Sequence, residues 1–425
     1  MRAQRNNIFL NIDWLLVVLY FLLVGFGLVN IYATSTTVEH TYIFDFSAKY
    51  GKQIIWIALS FPLIIGILLF NSEFYERFSS ILYLLSLVAL AGLFLFGKKI
   101  NGAASWYSFG ATSIQPSEFA KAFTCLAVAK LLSDRKYNLN ILKNQIKAGI
   151  IIFLPALLIT LQPDPGSAII YLSFFFVFYR EGLNLNYLLL GAFAIVLFIA
   201  TLYFGAQGVV LVCFSILTAL TLYILYNNTH FLRFNWLKVV GIYAAVGLFI
   251  LGTSFVYNTV FEQHHRDRFD ILLGKKIDTK NIGYNSYQSE LAISSGGFWG
   301  TGFLEGDRTQ GKFVPEQYTD YIFSAVGEEW GFVGSTLVIL LFMALLYRII
   351  YLSETHTNKF GRIYGYGIAS ILFFHLIVNI GMVIGLLPTV GIPLPFFSYG
   401  GSSLWGFTVL LFIFIRLDAH KSYDW

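Results

Sequence analysis

Residues 313–331 read FVPEQYTDYIFSAVGEEWG, and this junction between a polar loop and an apolar run decides how the chain is interpreted. If the residues from Tyr321 onward are helical, Asp320, Ser324 and Glu328 share one helix face, because they follow one another at four-residue spacing. Ionisable groups at membrane depth are functional candidates by default. The alternative is structural: Asp320 would cap the helix, and neighbouring helices would satisfy the glutamates.

The composition is that of a membrane protein. Hydrophobic residues make up 57% of the 425 residues and charged residues only 12%, with a mean hydropathy of +0.69. No alternating strand pattern is visible, so we expect an all-α polytopic protein of about twelve transmembrane helices. The twelve apolar runs are Trp14–Thr34, Ile54–Phe70, Ile81–Phe96, Phe119–Leu132, Ala148–Leu161, Ala168–Tyr179, Tyr187–Phe204, Val209–Tyr226, Val239–Tyr257, Tyr321–Tyr347, Tyr364–Leu387 and Leu404–Ile415.

Two runs are separated by the sequence QPDPG at 162–166. Its prolines exclude a continuous helix, so the flanking runs are two spans or, alternatively, one re-entrant hairpin. Cys125 and Cys213 fall inside apolar runs, and no disulfide framework is implied.

The distribution of basic residues predicts the orientation. With the N-terminus inside, sixteen lysines and arginines lie in inner segments and only four, at positions 49, 52, 98 and 99, in short outer loops. We therefore expect a multi-pass protein of the cytoplasmic membrane with both termini in the cytoplasm. The unusual segments 98–118, 162–167, 258–320 and 387–403 then share the outer face, which predicts an outer active site. The inner residues are Arg2, Arg5, Arg77, Lys130, Arg135, Lys136, Lys143, Lys147, Arg180, Arg233, Lys238, Arg348, Lys359, Arg362, Arg416 and Lys421.

Two outer segments contain polar candidates. Glu118 and Lys121 are neighbours at three-residue spacing on one helix, and they either form a structural ion pair or line a polar cavity. Trp106 is a cavity residue or an interfacial aromatic residue. The segment 387–403, rich in glycine and proline, cannot be a regular helix and suits a wall against which an isoprenoid chain lies.

The long loop contains a basic cluster: Arg266, Arg268, Lys275, Lys276, Lys280, Arg308 and Lys312. Arginine and lysine suit a phosphate or pyrophosphate. No HExxH, CxxC or His/carboxylate cluster predicts a tightly held metal.

These segments together resemble the shape, elongation, division and sporulation (SEDS) family of cell-wall glycosyltransferases. The resemblance covers most of the chain in order. The matching motifs are NGA-x-x-W at 101–106, QPSE-x-x-K at 115–121, QPD-x-G at 162–166, GY-x-x-x-QS at 283–289, AI-x-SGG at 292–297, PE-x-x-TD-x-IF at 315–323, EE-x-G at 328–331, NIGM-x-x-G-x-LP at 379–388 and G-x-PLP-x-x-SYGGSS at 391–403.

The resemblance implies polymerisation of lipid II, a disaccharide-peptide linked to undecaprenyl pyrophosphate, into peptidoglycan for cell elongation and shape. A class B penicillin-binding protein, a transpeptidase, would be the partner. Asp320 would be the catalytic base, with Arg266, Arg268 or a divalent cation (Mg or Mn) stabilising the leaving pyrophosphate. Substrate contacts are expected from Trp106, Gln115, Glu118, Lys121, Asp164, Arg266, Arg268, Gln288, Ser289, Glu316, Thr319, Ser324, Glu328 and Ser398.

The sequence departs from the family pattern in places. Ser105 replaces a basic residue, Tyr318 a histidine and Pro165 a leucine, and Gly274-Lys275 replaces Asp-Pro. The family has ten spans, so residues 207–257 are interpreted as an inserted helix pair within one membrane domain covering 1–425, followed by a large outer loop at 258–320. Two other functions remain open: a lipid II flippase, and a scaffold of the elongation machinery without chemistry of its own.

Overall fold

The computed structural model describes residues 11–36, 45–100, 103–110, 112–227, 231–261, 263–275 and 283–420. The fold is predominantly helical, as predicted. The chain divides into two compact units, residues 1–183 with 284–425 and residues 184–283. The division does not test whether the chain forms one membrane domain or whether residues 207–257 are an inserted helix pair. Both stay predictions.

The first unit is a bundle of long apolar helices joined by short ordered turns. Asp13 caps the first helix by accepting a hydrogen bond from Leu16 N at 3.0 Å. Pro116 occupies the first turn of α4, where a missing N–H carries no penalty. The helices of this unit are α1 (Trp14–Ser35), α2 (Lys49–Leu69), α3 (Ser72–Phe96), α4 (Pro116–Ser133), α5 (Leu142–Thr160), α6 (Pro165–Ile169), α7 (Phe174–Arg180), α12 (Tyr284–Ser295), α13 (Asp307–Gln310), α14 (Ile322–Glu329), α15 (Gly331–Glu354), α16 (Lys359–Val383) and α17 (Gly401–His420).

Within the described residues, ten helices are long and apolar enough to cross a membrane. The two remaining predicted runs correspond to α4, which carries charged side chains, and to the shorter stretch Pro165–Arg180. The count of twelve therefore stays a prediction. The ten are Trp14–Ser35, Lys49–Leu69, Ser72–Phe96, Leu142–Thr160, Leu185–Phe204, Ala206–Asn227, Asn235–Thr259, Gly331–Glu354, Lys359–Val383 and Gly401–His420.

The helix breaks fall where the prolines predict them. α5 ends at Thr160, and Asp164 caps the next short helix by accepting a hydrogen bond from Ser167 N at 3.0 Å. A turn of 3₁₀ helix, Ile170–Ser173, connects α6 to α7. The backbone between α16 and α17 contains no regular helix over 387–400, as the proline-rich sequence predicts.

A small antiparallel sheet follows α3 and was not predicted. Its order is β1 (Lys98–Ile100), β2 (Ala103–Phe109) and β3 (Thr112–Ile114). Its strands are short and the β1–β2 register shifts, so the alternating pattern that reveals longer strands is missing. The Tyr107 hydroxyl fixes the sheet to α3 by donating to Ala89 O at 2.8 Å.

Among the ten helices long enough to cross a membrane, α16 and α17 are the most buried, and they pack against α4, α2 and α15. Apolar side chains from α1, α4, α16 and α17 form one continuous core. Polar groups that project from α4 and α16 toward each other are therefore held in a rigid, apolar surrounding.

The helix ends that are predicted to face the cytoplasm lie together at one end of this unit, where ion pairs connect them. Arg348 at the end of α15 bonds Asp13, and Arg180 at the end of α7 bonds Glu354 at 2.8 Å. Three further contacts belong to this set: Lys130–Glu76 at 3.5 Å, Arg362–Glu181 at 3.1 Å and Arg416 Nε to Phe70 O at 2.8 Å. The starts of α2, α4 and α17 meet at the opposite end.

The second unit consists of α8 (Leu185–Phe204), α9 (Ala206–Asn227), α10 (Phe231–Phe255), a π turn at Val256–Val260 and α11 (Gln263–Leu272). Its small core is formed by Leu197, Val209 and Ile250. Most side chains of α9 and α10 are exposed and apolar, which is typical of lipid-facing helices.

Candidate functional site

Asp320 lies in a turn and does not cap a helix. α14 begins at Ile322 with Tyr321 at the N-cap position and no side-chain cap. The Asp320 carbonyl accepts a hydrogen bond from Asn379 Nδ2 at 2.8 Å. Among the described residues, no hydrogen bond reaches its partly buried carboxylate. The capping alternative is therefore wrong, and the carboxylate is available for another partner.

The segment 391–399 forms a wall behind this turn. Ser398 Oγ donates to Thr319 O at 2.6 Å and accepts from Leu394 N at 2.8 Å. Tyr399 N donates to Tyr318 O at 2.9 Å. Ser398 thus fixes the turn that carries Asp320, and its predicted substrate contact stays a prediction.

The surroundings of Asp320 raise the pKa of its carboxyl group to about 7. Burial is the largest cause, and the negative charges of Glu316 and Asp164 add to it. A carboxyl group with this pKa exchanges its proton near neutral pH, as a general base requires.

Asp164 and Gln115 meet on the same side as Asp320. Gln115 Nε2 donates to Asp164 Oδ2 at 3.0 Å, and Gln115 N donates to Ser402 Oγ at 3.1 Å. The starts of α4, α6 and α17 are thereby joined, close enough to Asp320 for Asp164 to repel its charge.

Lys49 adds a positive charge at the rim of the turn. Its ammonium lies over the rings of Tyr318 at 4.8 Å and Tyr399 at 5.5 Å. Gln53, one helical turn further along α2, accepts a hydrogen bond from Gly400 N at 3.1 Å. The sequence analysis placed Lys49 in a short outer loop and predicted no contact for it. Its contacts with Tyr318 and Tyr399 arise because segments that are distant in the sequence pack together.

The polar face of α14 contacts α13. Both Glu328 oxygens accept backbone N–H groups of Arg308 and Thr309, each at 2.8 Å. Gln317 Nε2 donates to Ser324 Oγ at 3.0 Å and to Thr309 Oγ1 at 3.2 Å. Since helix formation starts only at Ile322, the predicted stripe of Asp320, Ser324 and Glu328 does not form. Ser324 and Glu328 hold the loop, and their substrate contacts stay predictions.

Glu118 and Lys121 form the predicted ion pair, with Nζ and Oε2 2.9 Å apart and both side chains about 3% exposed. Lys121 Nζ also lies 3.0 Å from His375 Nε2 and 4.8 Å from the centre of the Phe407 ring. The pair is buried among α4, α16 and α17.

The remaining predicted site residues are spread over the structure. Trp106 lies half-buried on β2 opposite Lys98. Ser289 Oγ donates to Val383 O at 2.7 Å, and Gln288 accepts from Arg308 Nη1 at 2.5 Å. Arg266 and Arg268 belong to α11 of the second unit, and Arg266 Nη1 donates to Asn258 O at 3.1 Å. Asn101, Gly102, Lys276 and Lys280 lie outside the described residues.

Two buried residues were not among the site residues predicted from the sequence, although one of them begins the motif at 379–388. His375 and Asn379 lie one turn apart on α16, and both are buried. The available signal was their four-residue spacing within an apolar run, where polar groups are rare.

No group of three or more His, Cys, Asp or Glu side chains among the described residues could hold a metal ion. The divalent cation stays a prediction.

The fold and the site define an integral membrane protein that presents a carboxyl group of raised pKa at one end of a helical bundle. The sequence model of the FtsW, RodA and SpoVE family, described as cell cycle protein, matches residues 13–218 and 206–423. The chain belongs to this family.

Related proteins support the same family assignment. A peptidoglycan glycosyltransferase RodA of Treponema pallidum is 30% identical over 439 residues, covering 96% of this chain and 98% of the relative. Peptidoglycan glycosyltransferase MrdB of Escherichia coli is 31% identical over 354 residues, covering 83% and 81%.

Among solved structures, a chain from a peptidoglycan synthase complex, described as coordinating polymerisation and crosslinking, matches with a TM-score of 0.70 and 25% identity, covering 97% of this chain and 99% of that one. Thermus thermophilus RodA has a TM-score of 0.62 and 23% identity over 97% and 98% of the two chains, and supports the fold alone.

Proposed function

We propose that this protein is a peptidoglycan glycosyltransferase that polymerises lipid II into glycan strands for cell elongation and shape. Its relatives with the same activity in their names support the reaction class. The observation that carries the chemistry is the Asp320 carboxyl group, which has a pKa of about 7 and no hydrogen-bond partner among the described residues.

In the proposed reaction, Asp320 accepts the proton of the 4-hydroxyl group of an acceptor sugar. The hydroxyl oxygen forms a bond to the anomeric carbon of the donor, and the bond between that carbon and the pyrophosphate oxygen breaks. The isoprenyl pyrophosphate leaves with the bonding electrons, and Asp320 then releases its proton to water. Proton transfer by a positioned group of this kind contributes about 10²–10⁴-fold to a rate.

Positive charge must stabilise the leaving pyrophosphate. Lys49 is the basic residue that the first unit holds beside the Asp320 turn. Arg266, Arg268 and a Mg or Mn ion are further proposed contributors.

The proposal places the protein in the cytoplasmic membrane with both termini inside and Asp320 at the outer face. The separation of helix ends into a basic end and an Asp320 end supports this arrangement. A class B penicillin-binding protein is the proposed partner, in line with a structural relative from a complex that couples polymerisation to crosslinking.

Purified protein in detergent, supplied with labelled lipid II, tests the proposal. We expect glycan strands that resolve as a ladder on a gel and disappear after digestion with a muramidase. Transport of lipid II across vesicle membranes without strand synthesis would support a flippase. If the protein shows no strand synthesis and no transport, even with the partner added, the result would support a scaffold.

A further inference from the structure

One turn of α16 holds two consecutive carbonyls of the wall behind Asp320. His375 Nδ1 lies 3.2 Å from Pro393 O, and Asn379 Nδ2 donates to Ile392 O at 2.7 Å. Asn379 Nδ2 also donates to Asp320 O at 2.8 Å. The position of the wall and the position of Asp320 are therefore fixed from the same helix face.

The other nitrogen of His375 contacts the buried ion pair. Lys121 Nζ lies 3.0 Å from His375 Nε2 and 2.9 Å from Glu118 Oε2. An ammonium group has donors only, so Nε2 is the acceptor. The ring proton of a neutral imidazole is then on Nδ1, from which it donates to Pro393 O. These contacts select one tautomer and one ring orientation.

The hydrogen-bonding capacity of Lys121 is largely used inside the protein. Glu118 and His375 take two of its donors, and the Phe407 ring lies on another side of the ammonium at 4.8 Å. The group is only 2% exposed. Its geometry is that of an anchor for His375.

We propose that His375 is a positioning residue for glycan polymerisation, which connects the Glu118–Lys121 ion pair to the Ile392–Pro393 backbone and so holds the wall against Asp320. This inference rests on the proposed function. A methyl group on Gly391, next to Ile392, would lie 3.3 Å from Asp320 Oδ2, so the carboxylate lies close to the wall. A displacement of about 1 Å in such a group can lower a rate about 100-fold.

Three substitutions at His375 separate positioning from packing. His375→Gln places its amide near the position of Nε2, so it keeps an acceptor for Lys121 and loses the donor to Pro393 O. His375→Asn places its amide near the position of Nδ1, so it keeps a donor for Pro393 O and no longer reaches Lys121. His375→Leu removes both bonds. The matched control is His356→Leu, because His356 is also buried and lies 3.4 Å from a backbone carbonyl, that of Leu417, at the opposite end of the unit.

The measurements are kcat and KM for polymerisation of labelled lipid II, together with the melting temperature of each purified variant. We expect His375→Leu and His375→Gln, which lose the bond to Pro393 O, to lower kcat about 10- to 100-fold with KM within about twofold, and His375→Asn to retain kcat within about threefold. His356→Leu should lower the melting temperature and leave kcat unchanged.

Two results would overturn the inference: kcat retained by His375→Gln and His375→Leu while their melting temperatures fall, or kcat lost in His375→Asn as fully as in His375→Leu. If His375→Leu does not fold, the Asn and Gln variants decide by the same criteria. Absence of polymerisation by the wild type contradicts the proposed function instead, so the two failures are distinguishable.

Discussion

Gly391 leaves little space towards Asp320: a methyl group on its Cα would be 3.3 Å from Asp320 Oδ2, closer than an ordinary van der Waals contact. Gly391 also has a φ of +70°, in the left-handed region that residues with a side chain avoid. Two requirements for glycine therefore coincide at a wall residue beside the proposed base.

Gly391→Ala should lower polymerisation by about tenfold, because the added methyl group must displace the carboxylate. It should also destabilise the protein by about 1–2 kcal/mol through backbone strain. Gly110→Ala is the matched control: Gly110 has a φ of +66° and nothing within 4 Å of an added methyl group. Equal losses of stability with activity lost only in Gly391→Ala would confirm the contact. Equal activities would contradict it.

The Glu118–Lys121 pair should behave as a unit. Glu118→Gln leaves the ammonium buried without its counter-charge, which typically costs about 3–5 kcal/mol. We expect a lower melting temperature and a lower folded yield for Glu118→Gln. The double variant Glu118→Gln with Lys121→Met should recover folding, as measured by size-exclusion chromatography and thermal unfolding. The expectation fails if the single variant is as stable as the wild type.

Orientation is tested with single cysteines in a variant lacking Cys125 and Cys213. A cysteine at Lys312 should react with a membrane-impermeant thiol reagent added to intact spheroplasts, while one at Lys143 should react only after lysis. These positions lie in segments predicted to be outside and inside. The reverse labelling pattern would invert the proposed topology and place Asp320 in the cytoplasm.

Local features of this fold could be predicted from the sequence. The breaks at Pro163 and Pro165 and the irregular backbone after Leu387 follow from residues that cannot continue a helix. The Glu118–Lys121 contact follows from three-residue spacing on one helix. Ten of the twelve predicted apolar runs correspond to helices long and apolar enough to cross a membrane, because length and composition are themselves local properties.

Features that depend on tertiary pairing could not be predicted in the same way. Lys121 and His375 are 254 residues apart in the chain, and only the packing of α4 against α16 brings them together. Likewise, the spacing of Asp320, Ser324 and Glu328 predicted one helix face, but the wall at 391–399 holds Asp320 in a turn. The Glu328 carboxylate instead accepts hydrogen bonds from the N–H groups at the start of α13.

The activity should depend on pH through Asp320. Because the pKa of its carboxyl group is about 7, the fraction of active base and hence kcat should rise as the pH increases through about 7. Glu316 and Asp164 are the charged groups that raise this pKa. Glu316→Gln should therefore move the midpoint of the kcat profile to lower pH. Glu73→Gln, at the other end of the unit, is the control. An unchanged midpoint in Glu316→Gln would exclude Asp320 as the titrating group.

Asp320→Asn separates catalysis from stability. The pKa of the Asp320 carboxyl group is raised from 3.8 to about 7 in the folded protein, so its contribution to stability is complete below about pH 4 and is lost as the pH rises through 7. At pH 8 the ionised group is therefore unfavourable for folding, and asparagine removes that charge. The backbone bond from Asn379 to residue 320 is retained.

We expect Asp320→Asn to lower kcat by about 10²–10⁴-fold and to have, at pH 8, a melting temperature equal to or above that of the wild type. Asp134→Asn is the control, since Asp134 follows α4 at the inner end and its loss removes the same formal charge. Gel-resolved polymerisation of labelled lipid II and thermal unfolding at pH 8 give the two readouts. Strand synthesis by Asp320→Asn comparable to that of Asp134→Asn would show that another group accepts the proton.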